Sequence, residues 1–200
     1  MKIAILLPFK DTYTKDKAGS ASIWVKDFIK KSKYKSKILI YGYIKNLKKK
    51  NLINQKNYIN IKYNFDFYLG SKNKKYVEIF NKLIKDKKIN LVELHNRPNY
   101  IDHLDKNLKK ILIFHNDPLN LSGSETVKER KKIIDNCEKV LFVSNWVKQR
   151  FFEGFKINSP LTAQGVSPSS LGPAAGCLLD IFAGASIFSS TISQSFPIKK

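Results

Sequence analysis

Arginine is nearly absent from a chain that is otherwise crowded with positive charge. Only three of its 37 basic residues are Arg, against 16 acids and a formal net charge of +21 over 200 residues. Arg is the side chain that grips phosphates and base edges in bidentate fashion. Its scarcity argues against specific nucleic-acid recognition. What remains is lysine on solvated faces, which attracts nucleotides, polyanions or an anionic membrane without reading sequence. Codon bias accounts for much of the excess, because the abundant Lys, Asn, Ile, Tyr and Phe all have A/T-rich codons.

Other signals are missing as well. The two cysteines, Cys137 and Cys177, fit no C-x-x-C or zinc spacing and point weakly to a reducing compartment. His95, His103 and His115 form no H-x-x-x-H or H-E-x-x-H pair, so no metal site is expected. There is no G-x-S-x-G elbow for Ser-His-Asp hydrolysis and no complete G-x-G-x-x-G fingerprint for NAD. The first apolar run is ended by Pro8, Lys10 and Asp11, too early for a signal peptide. The apolar stretch 171–190 is interrupted by Gly172, Pro173, Gly176, Asp180 and Gly184, which makes it a poor membrane span.

What is present is a repeated strand ending. Leu91-Val92-Glu93-Leu94 runs into His95-Asn96-Arg97-Pro98, and Ile111-Leu112-Ile113-Phe114 runs into His115-Asn116-Asp117-Pro118. Short apolar runs closed by a polar cluster and a proline read as buried parallel strands that end in loops. The polar segment between them, 100–110, reads as helical and completes a βαβ unit. Ligands of open α/β sheets bind beyond the carboxyl ends of the strands, so two His-Asn pairs there would face one crevice.

The rest of the chain alternates in the same way. Strands are expected at 2–8, 37–43, 59–65 (with 67–69 as an extension) and 139–143. Helices are expected at 21–31, 74–88, 125–137 and 146–155, with Ser20 or Ser22 capping the first and Ser71 the second. About six strands alternating with helices imply a doubly wound, mostly parallel Rossmann-like α/β sheet. Gly19-Ser20 opens the first helix, whose unpaired N–H groups suit a phosphate, though one glycine also serves a simple turn. Near Pro160 the composition changes: from there to Ile198 there is no Lys or Arg, and Ser, Ala, Gly and Pro take over. The expected division is a domain at 1–156 and an atypical tail at 157–200, either flexible or a foreign junction.

These residues resemble the N-terminal domain of family-4-type glycosyltransferases of the GT-B fold. The likeness rests on the Gly19-Ser20 loop, the two His motifs at 95–98 and 115–118, Glu129-Arg130, and the strand-turn-helix at 139–148. It covers roughly residues 1–156. The resemblance implies transfer of a sugar from a nucleotide-sugar to a sugar or lipid-linked acceptor, with retention and without metal or resident cofactor. His95 would then contact the transferred sugar or the developing transition state as the catalytic residue, and Gly19 and Ser20 the donor diphosphate. Asn96, Arg97, His115 and Asn116 would face the acceptor. His103 carries no expected role. The donor-binding second domain does not follow, so the chain is expected to be inactive alone. Polysaccharide synthesis in the cytoplasm, or peripherally at the inner face of the membrane, is the family-level setting. The competing expectation is a non-enzymatic basic α/β module for a membrane surface or nucleic acid.

Overall fold

The computed structural model describes residues 2–155; the tail expected at 157–200 lies outside them. Six strands, β1 (Lys2–Leu6), β2 (Ile38–Gly42), β3 (Tyr58–Asn60), β4 (Ile89–His95), β5 (Lys109–Phe114) and β6 (Lys139–Phe142), form one sheet. Its order is β3-β2-β1-β4-β5-β6, and every neighbouring pair is parallel. With α1 (Ser20–Lys31), α2 (Lys72–Ile84), α3 (Val127–Asn136) and α4 (Asn145–Phe152), this is the expected Rossmann-like α/β fold. The chain builds outward from β1 through β2 to β3, then crosses back to lay β4 on the other side of β1. That reversal is the switch point where such sheets bind ligands.

Side-chain alternation divides the core in two. Ile3, Ile5 and Leu7 bury one face with Ile38, Ile40, Leu91, Ile111 and Ile113, against Ala21, Val25 and Ile29 of α1. Ala4, Leu6, Tyr41, Val92, Leu94, Leu112 and Phe114 bury the other, against Tyr76, Val77, Phe80 and Ile84 of α2, Ile133 of α3, and Val147 and Phe151 of α4. Among the described residues, one face therefore carries a single helix and the other carries three. Leu141 of β6, on the thinly covered α1 face, is only partly buried.

Helix starts follow side-chain chemistry. Ser71 accepts from the Lys74 N–H and Ser144 from the Val147 N–H, while Thr126 and Glu129 form a reciprocal capping box on α3. The cap of α1 is Gly19 rather than either serine, because the Ser22 hydroxyl donates to Asp11 instead.

Two elements differ from expectation. The strand foreseen at 59–65 pairs with β2 over only Tyr58–Asn60. Beyond it the chain leaves the sheet, and the alternation persists because Ile61 and Phe65 still reach the core from a loop. The helix foreseen at 100–110 is a short 3-10 segment, Pro98–His103, followed by a turn in which Asp105 accepts from the Asn107 N–H. Pro98 supplies a fixed φ for its start, and Asn107 and Asp105 favour a turn over further helix.

Candidate active site at the switch point

Strand parity decides what meets what. Leu91, Glu93 and His95 share one face of β4, and Ile111 and Ile113 share the matching face of β5, which His115 continues. That face lies beneath the start of α1. There His95 Nδ1 lies 2.9 Å from His115 Nε2, and His95 Nε2 lies 2.9 Å from Glu93 Oε1. Trp24, one turn into α1, closes over both rings, its centroid 5.1 Å from that of His95 and 5.8 Å from that of His115. The two histidines thus converge at the carboxyl edge as a chain, Glu93–His95–His115.

Burial ranks the members of this chain. His95 is 0% exposed and Glu93 4%. With both ring nitrogens engaged, His95 is sealed beneath the crevice, and direct contact with a sugar is not available to it in this arrangement. His115 is half-buried and holds the outward position.

Burial, and secondarily the neighbouring His95, pushes the His115 pKa down from 6.5 to about 3. Near neutral pH its ring is uncharged and carries one proton. His115 turns its Nε2 to His95, so Nδ1 is the ring nitrogen left to face a ligand. Among the described residues that nitrogen has no partner.

The remaining expected residues fall into different roles. Asn96 adopts φ 51°, the left-handed region that Asn tolerates better than most residues. Its Oδ1 accepts from the backbone N–H groups of His115 at 2.7 Å and Asn116 at 3.2 Å. Asn96 therefore clamps the two strand exits together and does not present its Oδ1 to an acceptor. Arg97 is half-buried and donates to the Asn96 carbonyl at 2.8 Å. The side chain of Asn116 is exposed.

Gly19 and Ser20 do lie at the start of α1, on the expected edge. The Asp11 carboxylate is already there. A Cβ on Gly19 would sit 2.4 Å from Asp11 Oδ2, and Ser22 holds the same carboxylate. The helix start that would suit a phosphate is occupied by the chain's own anion.

Four residues of the site were not singled out from sequence: Glu93, Trp24, Asp11 and Ser22. Glu93 carries a readable signal, since a carboxylate inside an apolar strand two residues before a histidine shares its face. Asp11 carries none, because its place depends on how the loop after β1 folds back. That loop is fixed by Tyr100, whose hydroxyl accepts from the Phe9 N–H at 2.8 Å, and by a bridge between Thr14 and Leu52.

A cleft of about 640 Å³ lies at the opposite edge, near the amino ends of β5 and β6. It is lined in part by Lys110, whose ammonium pKa is lowered by burial, and by Cys137, whose thiol burial raises to about 12. Such a thiol is unreactive, and nothing in this cleft touches the histidine array.

Fold and site together define a Rossmann-like α/β protein with a buried Glu-His-His chain at its switch point. No protein-family model matches the chain, and no curated protein matches it. Among the described residues no group of three or more His, Cys, Asp or Glu is arranged to hold a metal ion, and no helix is long and apolar enough to cross a membrane.

Proposed function

We propose that this chain is the acceptor-side half of a retaining, metal-independent GT-B glycosyltransferase of the family-4 type. It would work with a nucleotide-sugar donor and a sugar or lipid-linked acceptor, in cell-surface polysaccharide assembly at the cytoplasmic face of a membrane. The observation that carries this reading is the Glu93–His95–His115 chain beside the Gly19 helix start, on the ligand-binding edge of the sheet. In this scheme His115 is the donor that meets substrate through Nδ1–H. His95 positions it, and Glu93 holds His95. A donor aimed at charge that develops during departure of a nucleotide diphosphate acts as an oxyanion-hole group does, contributing about 2.7–4 kcal/mol. The donor diphosphate would reach Gly19 and Ser20 only once Asp11 moves aside.

The test has two arms. Trp24 fluorescence, read in a Trp146→Phe background, should respond to acceptor-like glycosides at millimolar concentration, and His115→Gln should abolish the response. Nucleotide-sugars should bind this chain only weakly, because micromolar, base-selective binding needs about 8 kcal/mol of contacts. Micromolar nucleotide-sugar binding, or a sugar response untouched by His115→Gln, would overturn the assignment. In a chimera carrying a family-type donor domain, His95→Ala should lower kcat more than it raises KM.

The full burial of His95 favours a second reading: a structural histidine in a non-enzymatic basic module. An unchanged kcat for both His95→Ala and His115→Gln in an active chimera would establish the structural role of the histidines, whereas polyanion binding by this chain with no glycoside response and no active chimera would establish the module.

A further inference from the structure

We infer that the loop between β3 and α2 docks this chain on an anionic bilayer, with Phe67 and Leu69 entering the headgroup region. Phe67 is 84% exposed and Leu69 102%, and Tyr63 beside them is 38% exposed. Single exposed apolar residues are ordinary. These three are held together on a loop that is itself anchored. Phe65 is 2% exposed, and its ring centroid lies 4.8 Å from Phe9, 4.7 Å from Tyr43 and 4.8 Å from Tyr63. The loop is fastened through Phe65, and Phe67 and Leu69 on either side of Tyr68 are left facing outward.

Lysines flank this apolar tip. Lys75 Nζ sits over the Tyr63 ring at 5.4 Å and the Tyr68 ring at 5.7 Å, and also lies 3.9 Å from Glu78. Lys45 pairs Asp66 at 2.6 Å, and Lys72 acts on the same carboxylate. Along the sequence, residues 45–78 hold nine lysines and two acids, Asp66 and Glu78. An apolar tip, interfacial tyrosines and a lysine collar match the layers of a bilayer surface: acyl boundary, headgroup level and lipid phosphates. The same mixture of aromatics and lysine could stack single-stranded nucleic acid. Leu69 has no ring to stack on a base, however, and the region contains no Arg. A bilayer accounts for more of the patch.

The loop follows β3, so it leaves the sheet at the same carboxyl edge as His95. Three strand spacings separate β3 from β4 in the sheet order, or roughly 15 Å at ~4.8 Å per spacing. Docking through this loop would hold the site near the headgroups, where a lipid-linked acceptor is presented. That use rests on the proposed transfer reaction; the docking does not.

Co-sedimentation of the full chain with vesicles tests the inference. Vesicles of phosphatidylcholine containing phosphatidylglycerol should pellet it, and phosphatidylcholine alone should not. Phe67→Ser/Leu69→Ser should weaken vesicle binding by about tenfold or more, the scale expected from losing two inserted side chains. Its urea unfolding midpoint and heparin binding should stay unchanged. Phe67→Trp should gain emission that brominated lipid quenches, above the background from Trp24 and Trp146. Equal vesicle binding by the double variant would overturn the proposal, and so would pelleting without quenching. Tighter binding of single-stranded RNA, lost in the same double variant, would make the loop a nucleic-acid surface instead. Failure of the glycoside response would leave these results intact, so the two proposals fail separately.

Discussion

The buried Glu93–His95 pair makes a sharp prediction about coupling. Replacing Glu93 by Leu leaves His95 Nε2 without its partner at a site that is 0% exposed. Breaking one side of a buried pair typically costs about 3–5 kcal/mol, and an orphaned neutral polar group alone costs about 1–3 kcal/mol. Glu93→Leu should therefore destabilise by about 3 kcal/mol, and His95→Leu by at least as much, because it strands a carboxyl group. The double variant should behave differently. Glu93 is registered against Ile5 and His95 against Ile113, so two leucines would extend an existing aliphatic face. His115 would lose its Nε2 contact but is half-buried and can turn to water. The double variant should lie within about 1 kcal/mol of the parent, as buried ionic pairs replaced by apolar ones often do. The coupling energy is then about 5 kcal/mol or more. Urea unfolding at neutral pH, followed by far-UV circular dichroism, gives all four corners of the cycle, provided the m-value holds constant. Effects that add to within ~0.5 kcal/mol would refute the pairing.

Three further outcomes follow. His115 has its pKa lowered to about 3 in the folded state, so below pH 6.5 the unfolded chain binds a proton that the folded chain refuses; stability should fall as pH drops through that window, by at most ~1.4 kcal/mol per unit and less for a half-buried ring, and urea midpoints at pH 6.5 and 5 should converge in His115→Gln. Gly19→Ala would drive its Cβ into the Asp11 carboxylate and should cost about 1 kcal/mol, the loss of one hydrogen bond near a helix start; in an Asp11→Ala background the same change should be neutral or slightly stabilising by chemical denaturation. Arg130 is 2% exposed and donates to the carbonyls of Ser124, Glu125 and Glu153, so Arg130→Met should cost about 3 kcal/mol and lower the melting temperature measurably.

The sheet was legible because parallel strands buried on both faces are short apolar runs, and the chain spells them openly at 2–7, 38–41, 91–94 and 111–114. Elements held by neighbours were not legible. The aromatic loop at 61–69 alternates like a strand because Ile61 closes the ladder, its N–H on the Gly42 carbonyl at 2.8 Å, and Phe65 is then drawn inward by Tyr43 and Tyr76 rather than by ladder hydrogen bonds. The crossover at 98–108 reads as a helix by polarity, yet Pro98 and the Asp105 turn keep it to one short segment. For the site, the sequence placed both histidines on the right edge but could not rank them. Strand β4 ends at His95 while β5 ends one residue before His115, at Phe114. That single-residue difference puts His95 inside the ladder and His115 on the way out.

The position of Asp11 bears on what the site can do. A helix start attracts anions because its first N–H groups are unpaired. Here the Gly19 position lets a carboxylate from the preceding loop approach more closely than any side chain on residue 19 would permit. Asp11 also accepts from the Ser22 hydroxyl, so Ser22 holds the chain's own anion in the space that Gly19 leaves open. A diphosphate arriving at the same place must displace that carboxylate, and its binding is weakened by whatever Asp11 gains there. The exchange also couples the two halves of the crevice. Ser22, which holds Asp11, and Trp24, which covers His95 and His115, are two residues apart on the first turn of α1. Displacing Asp11 frees the Ser22 hydroxyl at the point where α1 meets the histidines. If phosphate enters here, Trp24 fluorescence should report it, and Asp11→Asn should bind inorganic phosphate more tightly than the parent. An equal affinity for the two would show that the carboxylate does not contest the site.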